Sequence, residues 1–125
     1  MPKTWKDIVL EAKKEVTLLQ PSEVKTKLEQ ATDLILIDVR EKDEYDQGHL
    51  PKSFHVPRGV LEITVEKNLR DPQTELILYC AGGGRSAVAA RALKEMGYQN
   101  VASMEGGFEA WKWAGYPMGS EMESK

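Results

Sequence analysis

The stretch Leu76-Ile77-Leu78-Tyr79-Cys80-Ala81-Gly82-Gly83-Gly84-Arg85-Ser86 puts the chain's single cysteine at the end of an apolar, strand-like run. Three glycines follow, and Arg85 and Ser86 open a helical pattern. Glycine admits positive φ and lets the backbone approach a ligand closely. Successive N–H groups in such a turn converge into a nest that holds an anion. The helix behind it adds unpaired N–H donors and the positive end of its dipole. A thiol in that field is favoured as thiolate, its nucleophilic form. Arg85 contributes a fixed charge and a planar fork suited to an oxyanion. The spacing therefore describes an anion-binding, nucleophilic site. Cys80 is the nucleophile, and Ala81, Gly82, Gly83, Gly84, Arg85 and Ser86 form its cradle. No separate base is required, because the cradle itself stabilises the thiolate.

Taken alone, a cysteine on an apolar strand reads as a small core residue. The glycines and Arg85 reverse that reading. The loop is no nucleotide P-loop, because it lacks G-x-x-x-x-G-K-[ST]. With one cysteine and two histidines the chain offers no metal-ligand set, and no cofactor is expected.

The elements that must position this loop follow from the hydrophobic pattern. Residues 4–16 predict an amphipathic helix with Trp5, Ile8, Val9, Ala12 and Val16 on one side. Its expected role is to cap an apolar surface, with partner binding or dimerisation as the alternative. Residues 16–19 predict a short strand. Pro21 opens a helix that runs to about Gln30 and buries Val24 and Leu28. Leu34–Ile37 is a continuous apolar run, the mark of a strand buried on both faces. Asp38-Val39-Arg40 follows at its carboxyl end. Residues 41–47 predict a short exposed helix stopped by Gly48.

Gly48-His49-Leu50-Pro51 is a turn, and residues 53–56 are a short strand closed by Pro57, with Arg58 just after it. Val60, Leu61, Ile63 and Val65 belong to a short helix or an irregular segment. Residues 75–80 are the second buried strand, and residues 86–96 an alanine-rich helix ended by Gly97. Residues 101–104 are a last strand. Gly106-Gly107 leads into a helix over 108–111 that ends near Gly115.

Strands alternate with helices, so the expected class is α/β with a mostly parallel sheet and helices on both faces. Ligands in such sheets bind at the carboxyl ends of strands, where Asp38, Arg40, Pro57, Arg58 and Cys80 fall. At 125 residues the chain is one domain with a proper core. Its net charge of −3 favours neither nucleic acid nor an anionic membrane as partner. One cysteine permits no internal disulfide, and a free thiol suits a reducing compartment. Charged residues interrupt the first 20 positions, and no stretch is long enough to span a membrane. A cytoplasmic protein is expected.

Asp38-Val39-Arg40, Gly48-His49-Leu50-Pro51, Cys80 through Ser86, and Gly106-Gly107-Phe108 with Trp111 and Gly115-Tyr116-Pro117 occur in an order and spacing that resemble a single-domain rhodanese. The likeness runs from about Val16 to Met118. It implies a rhodanese-like domain over 16–118; the amphipathic helical extension over 1–15 and the polar tail over 119–125, expected to be disordered, lie outside it. It also implies a sulfurtransferase. Cys80 would take the outer sulfur of thiosulfate or a persulfide donor and pass it to cyanide or a thiol. The N–H groups from Ala81 to Ser86 would cradle the persulfide, and Arg85 would hold the anionic donor or leaving group.

The family's sulfur-transferring branch has C-x4-R, as Cys80 and Arg85 do, whereas its phosphatases have C-x5-R. Phosphatase or arsenate reductase chemistry is accordingly the minor alternative. Ala81 stands where thiosulfate-using members often carry a basic residue, so thiosulfate is expected to be a weak donor unless Arg58 supplies the charge. Asp38 and Arg40 are expected to support the loop by hydrogen bonds and an ion pair involving Glu44. His49 and His55 take structural readings, and Phe108, Trp111 and Trp113 are expected to pack. The remaining alternatives are a binding module without turnover and a sulfur carrier for an acceptor protein.

Overall fold

The computed structural model describes residues 1–30 and 33–119. Its elements in chain order are α1 (Trp5–Glu15), β1 (Thr17–Leu19), α2 (Pro21–Gln30), β2 (Ile35–Asp38), α3 (Lys42–Gln47) and β3 (Ser53–His55). A 3-10 turn (Arg58–Val60), α4 (Leu61–Asn68), β4 (Leu76–Tyr79), α5 (Gly84–Glu95), β5 (Val101–Met104) and α6 (Gly107–Trp113) complete the order. The five strands form one parallel sheet in the order β1-β5-β4-β2-β3. The expected α/β class is thus observed, and the uncertain segment after Pro57 resolves into a 3-10 turn followed by a helix. No helix among the described residues is long and apolar enough to cross a membrane.

Local chemistry explains the boundaries. Thr4 starts α1 through a reciprocal capping box with Asp7. Glu44 caps its own helix by accepting the Glu41 N–H at 3.0 Å. The chain cannot bury β4 on one face only, because Leu76, Ile77, Leu78 and Tyr79 are all fully covered. Their alternation divides the core into two layers. Leu76, Leu78 and Cys80 pack with Leu61, Val65, Ala89 and Leu93, on the side of α4 and α5. Ile77 and Tyr79 pack with Val24, Leu28, Leu50 and Trp111, on the side of α2 and α6. Cys80 therefore faces α5, the helix that follows it.

Helix α1 lies against α5 and fully buries Ala12, which fits the covering role expected for it. The disordered tail expected over 119–125 begins outside the described residues from 120 onward. Gly119 departs from that expectation. It is buried, and its N–H donates to the His49 carbonyl at 2.7 Å.

At the carboxyl end of β2, Asp38 and Arg40 form a buried ion pair. Arg40 Nη2 lies 2.7 Å from Asp38 Oδ2, with side chains 4% and 0% exposed. The Arg40 backbone N–H also donates to Asp38 Oδ1 at 2.9 Å. Its Nη2 reaches the Gly48 carbonyl at 2.7 Å, and its guanidinium lies 4.4 Å from the Phe108 ring centre. Burial opposes the Arg40 charge, but the hydrogen bonds and charge of Asp38 prevail and raise its pKa. The pair ties β2, the turn before β3, and the start of α6 together beside the cysteine loop. Removing one partner of such a pair leaves an uncompensated buried charge. Arg40→Met is therefore expected to lower unfolding stability by about 3–5 kcal/mol in urea denaturation, with Arg40→Lys restoring only part of it.

Candidate active site

Cys80 is 1% exposed and sits at the tip of β4. The chain turns sharply behind it at Gly83, whose φ of +103° caps α5 in the left-handed region. Two backbone N–H groups then point at the sulfur. Gly83 N lies 3.1 Å from Sγ and Ser86 N lies 3.3 Å from it. The Ser86 hydroxyl oxygen is 3.5 Å from Sγ and accepts from the thiol. It also bonds the Ser103 hydroxyl at 2.8 Å. A hydroxyl can rotate to donate instead once the thiol loses its proton. Two N–H donors, one at the end of the loop and one in the first turn of α5, thus converge on the sulfur.

The carbonyls of the same loop face the opposite way. Phe108 N–H donates to the Cys80 carbonyl at 2.7 Å, and Glu109 N–H donates to the Ala81 carbonyl at 3.0 Å. Both donors belong to the first turn of α6, whose N–H groups have no partners within their own helix. The close approach depends on Gly107. A Cβ there would stand 2.4 Å from the Cys80 oxygen and 2.6 Å from the Ala81 oxygen, and its φ is +57°. The Gly106-Gly107-Phe108 motif therefore holds the loop from behind, a coupling that the sequence reading missed. Its signal was the doubled glycine before a helix.

Arg85 turns toward α3 rather than toward open solvent. Its two terminal nitrogens form a bidentate pair with Glu44, at 2.9 and 3.0 Å. Glu44 foremost, and Cys80 to a smaller degree, raise the Arg85 pKa. In return the Arg85 hydrogen bond holds the Glu44 carboxyl at about 2, well below its ordinary 4.5. The ion pair expected to join Glu44 with Asp38 and Arg40 is thus divided: Arg40 pairs with Asp38, and Glu44 with Arg85.

The remaining candidates fall into place around this centre. Ala81 and Gly82 form the outer part of the loop, where Gly82 is exposed. Arg58 stands in the 3-10 turn, and its guanidinium pairs with Glu62 four residues on at 2.8 Å. That local carboxylate engages the charge that Arg58 could have lent to the loop. His55 Nε2 bonds the Arg40 carbonyl at 2.7 Å, and the His49 ring stacks on Tyr45 at 4.0 Å. Trp111 is buried and donates to the Pro117 carbonyl at 2.8 Å, as packing requires. Trp113 does not pack: it is 92% exposed, because two residues along a helix from an inward Trp111 point outward.

The Arg85–Glu44 clamp has a pH signature. Lowering a carboxyl pKa on folding adds stability that is present above the unfolded value and is lost as pH falls through the folded one. For Glu44 that window runs from about 4.5 down to about 2. The melting-temperature difference between the native chain and Glu44→Gln is expected to stay constant from neutral pH to about 5 and to shrink below about 4.5.

Comparison with known proteins agrees with this geometry. The model of the Rhodanese-like domain family matches residues 20–114. The thiosulfate sulfurtransferase GlpE of Coxiella burnetii is 35% identical over 80 residues, which are 64% of this chain and 73% of that protein. The putative sulfur carrier protein YrkF of Bacillus subtilis is 33% identical over 87 residues, 70% of this chain; the match spans just under half, 46%, of that relative's length. A solved structure from Rhodopseudomonas palustris, a protein of unknown function described as a possible tyrosine phosphatase, superposes with a TM-score of 0.81. It is 34% identical, with 94% of this chain and 98% of that one covered. With its Cys80 loop, its glycine-held backbone and its family match over 20–114, the chain belongs to the Rhodanese-like domain family.

Proposed function

We propose that this chain is a sulfurtransferase that carries sulfane sulfur as a Cys80 persulfide. The observation that supports it most is the convergence of the Gly83 and Ser86 N–H groups on Sγ, at 3.1 and 3.3 Å. Donors fixed on the sulfur itself stabilise an anion there without reorganisation when charge develops. The relatives named for sulfur transfer and sulfur carriage support the same reading.

In the first half-reaction the Cys80 thiolate attacks the outer sulfur of thiosulfate. A bond forms between Sγ and that sulfur, the sulfur–sulfur bond of thiosulfate breaks, and its electron pair leaves with sulfite. An organic persulfide donor reacts in the same way and leaves a thiolate. In the second half-reaction cyanide or a thiolate attacks the outer sulfur of the Cys80 persulfide. The bond to Sγ breaks, and its electron pair restores the Cys80 thiolate. Arg85 lies beside the loop, but Glu44 already holds its two terminal nitrogens, which reduces the positive charge it offers an anionic donor. Ala81 contributes none, and Arg58 is paired with Glu62, so an organic persulfide is the better donor of the two.

The test is intact-protein mass after incubation with thiosulfate or an organic persulfide, beside Cys80→Ser. The native chain is expected to gain one sulfur atom, the variant none, and cyanide is expected to release the sulfur as thiocyanate. Failure of both donors to load Cys80 would contradict the proposal. Turnover of para-nitrophenyl phosphate in place of loading would favour a phosphatase.

A further inference from the structure

Helix α1 lies outside the span matched by the family model, yet it starts at the cysteine loop. A Cβ on Gly84 would stand 3.5 Å from Trp5 Cζ2 and 3.4 Å from Val9 Cγ2. At the other end of the two helices, Lys94 Nζ donates to the Glu15 carbonyl at 2.6 Å and Arg91 pairs with Glu15 at 3.4 Å. So α1 and α5 run side by side in the same direction, and both begin at the loop. Gly84 lies between Gly83, whose N–H donates to Sγ, and Arg85. The indole therefore stands beside this position, about one side-chain atom away from the backbone.

Trp5 is nevertheless 55% exposed, whereas Trp111 is 1% exposed and Ala12, two turns further along α1, is fully buried. The residue that flanks the first position of α5 is thus half open to solvent. Nearby, Gly82 is open: a Cβ there would meet nothing within 4 Å. The sulfur is held on its inner side by Gly83, Ser86 and the Ser103 hydroxyl behind them. An incoming acceptor must approach from the other side of the sulfur, and Trp5 is an exposed aromatic ring next to Gly84, the residue after Gly83.

We propose that Trp5 is a specificity-determining residue that favours thiol acceptors with an apolar or aromatic group next to the reacting sulfur. This rests on the sulfurtransferase reading above. The acceptor thiolate attacks the outer sulfur of the Cys80 persulfide, the bond to Sγ breaks, and the electron pair returns to Sγ. The acceptor leaves as its own persulfide. During that step its apolar group lies against the indole, a contact of the aromatic kind that is absent for cyanide.

The test uses the full chain loaded with sulfur and confirmed by mass. Loss of the persulfide is then timed with benzyl mercaptan, 2-mercaptoethanol and cyanide, in the native chain and in Trp5→Ala and Trp5→Phe. The ratio of benzyl mercaptan to cyanide rates is expected to fall about fivefold in Trp5→Ala and to be largely kept in Trp5→Phe. An unchanged ratio, including one in which all three acceptors slow equally, would overturn the proposal and leave Trp5 as a support of the loop. If Cys80 takes up no sulfur, the sulfurtransferase reading fails first. Alkylation of Cys80 by N-benzyl iodoacetamide against iodoacetamide then decides the role of Trp5. A benzyl preference lost in Trp5→Ala retains Trp5 as the wall of the approach, and a preference kept in it removes that role.

Discussion

The site depends on one close approach, that of Gly107 to the carbonyls of Cys80 and Ala81. Each peptide group in the loop has a donor end and an acceptor end, and they cannot point the same way. The first turn of α6 takes the Cys80 and Ala81 carbonyls, whose peptide groups carry the Ala81 and Gly82 N–H, and so anchors the loop just before Gly83, whose N–H faces Sγ together with that of Ser86. The loop that faces Sγ is therefore placed by the end of β4 and two helix starts together, not by its own sequence alone. Any side chain at 107 would push α6 away from the loop and release the carbonyls that hold it in that orientation.

The charges around the loop are arranged with a similar division. Asp38 and Arg40 neutralise one another in the interior and brace the ends of the strands. Phe108 lies over the Arg40 guanidinium, so the same residue whose N–H holds the loop also covers the buried pair. Arg85 and Glu44 form the outer, half-exposed pair, which sets Arg85 beside the thiol without letting it swing free.

Much of this was legible in the sequence because it is local. The apolar run ending at Cys80, the glycines and the helix behind them each act through neighbours in the chain, and together they pointed to the loop on which the Gly83 and Ser86 N–H groups face Sγ. The alternation of strands and helices gave the class. What stayed hidden is distant in sequence. Side-chain periodicity reports burial but not which strand lies beside which, so the order β1-β5-β4-β2-β3 was out of reach. Glu44 and Arg85 are 41 positions apart, and nothing local marks their pairing. Two misplacements were avoidable. Glu62 stands four residues after Arg58, a spacing that competes for its charge, and Trp113 follows an inward Trp111 by two positions on one helix.

The measurement that tests the account most directly is sulfur loading of Gly107→Ala, followed by intact mass, with far-ultraviolet circular dichroism as the check on folding. The account predicts a chain that keeps its helices and sheet but loads Cys80 at a small fraction of the native rate, because the loop carbonyls have lost their partners. Loading at the native rate in the folded variant would contradict it, since the cradle would then form without the contact on which it is argued to depend.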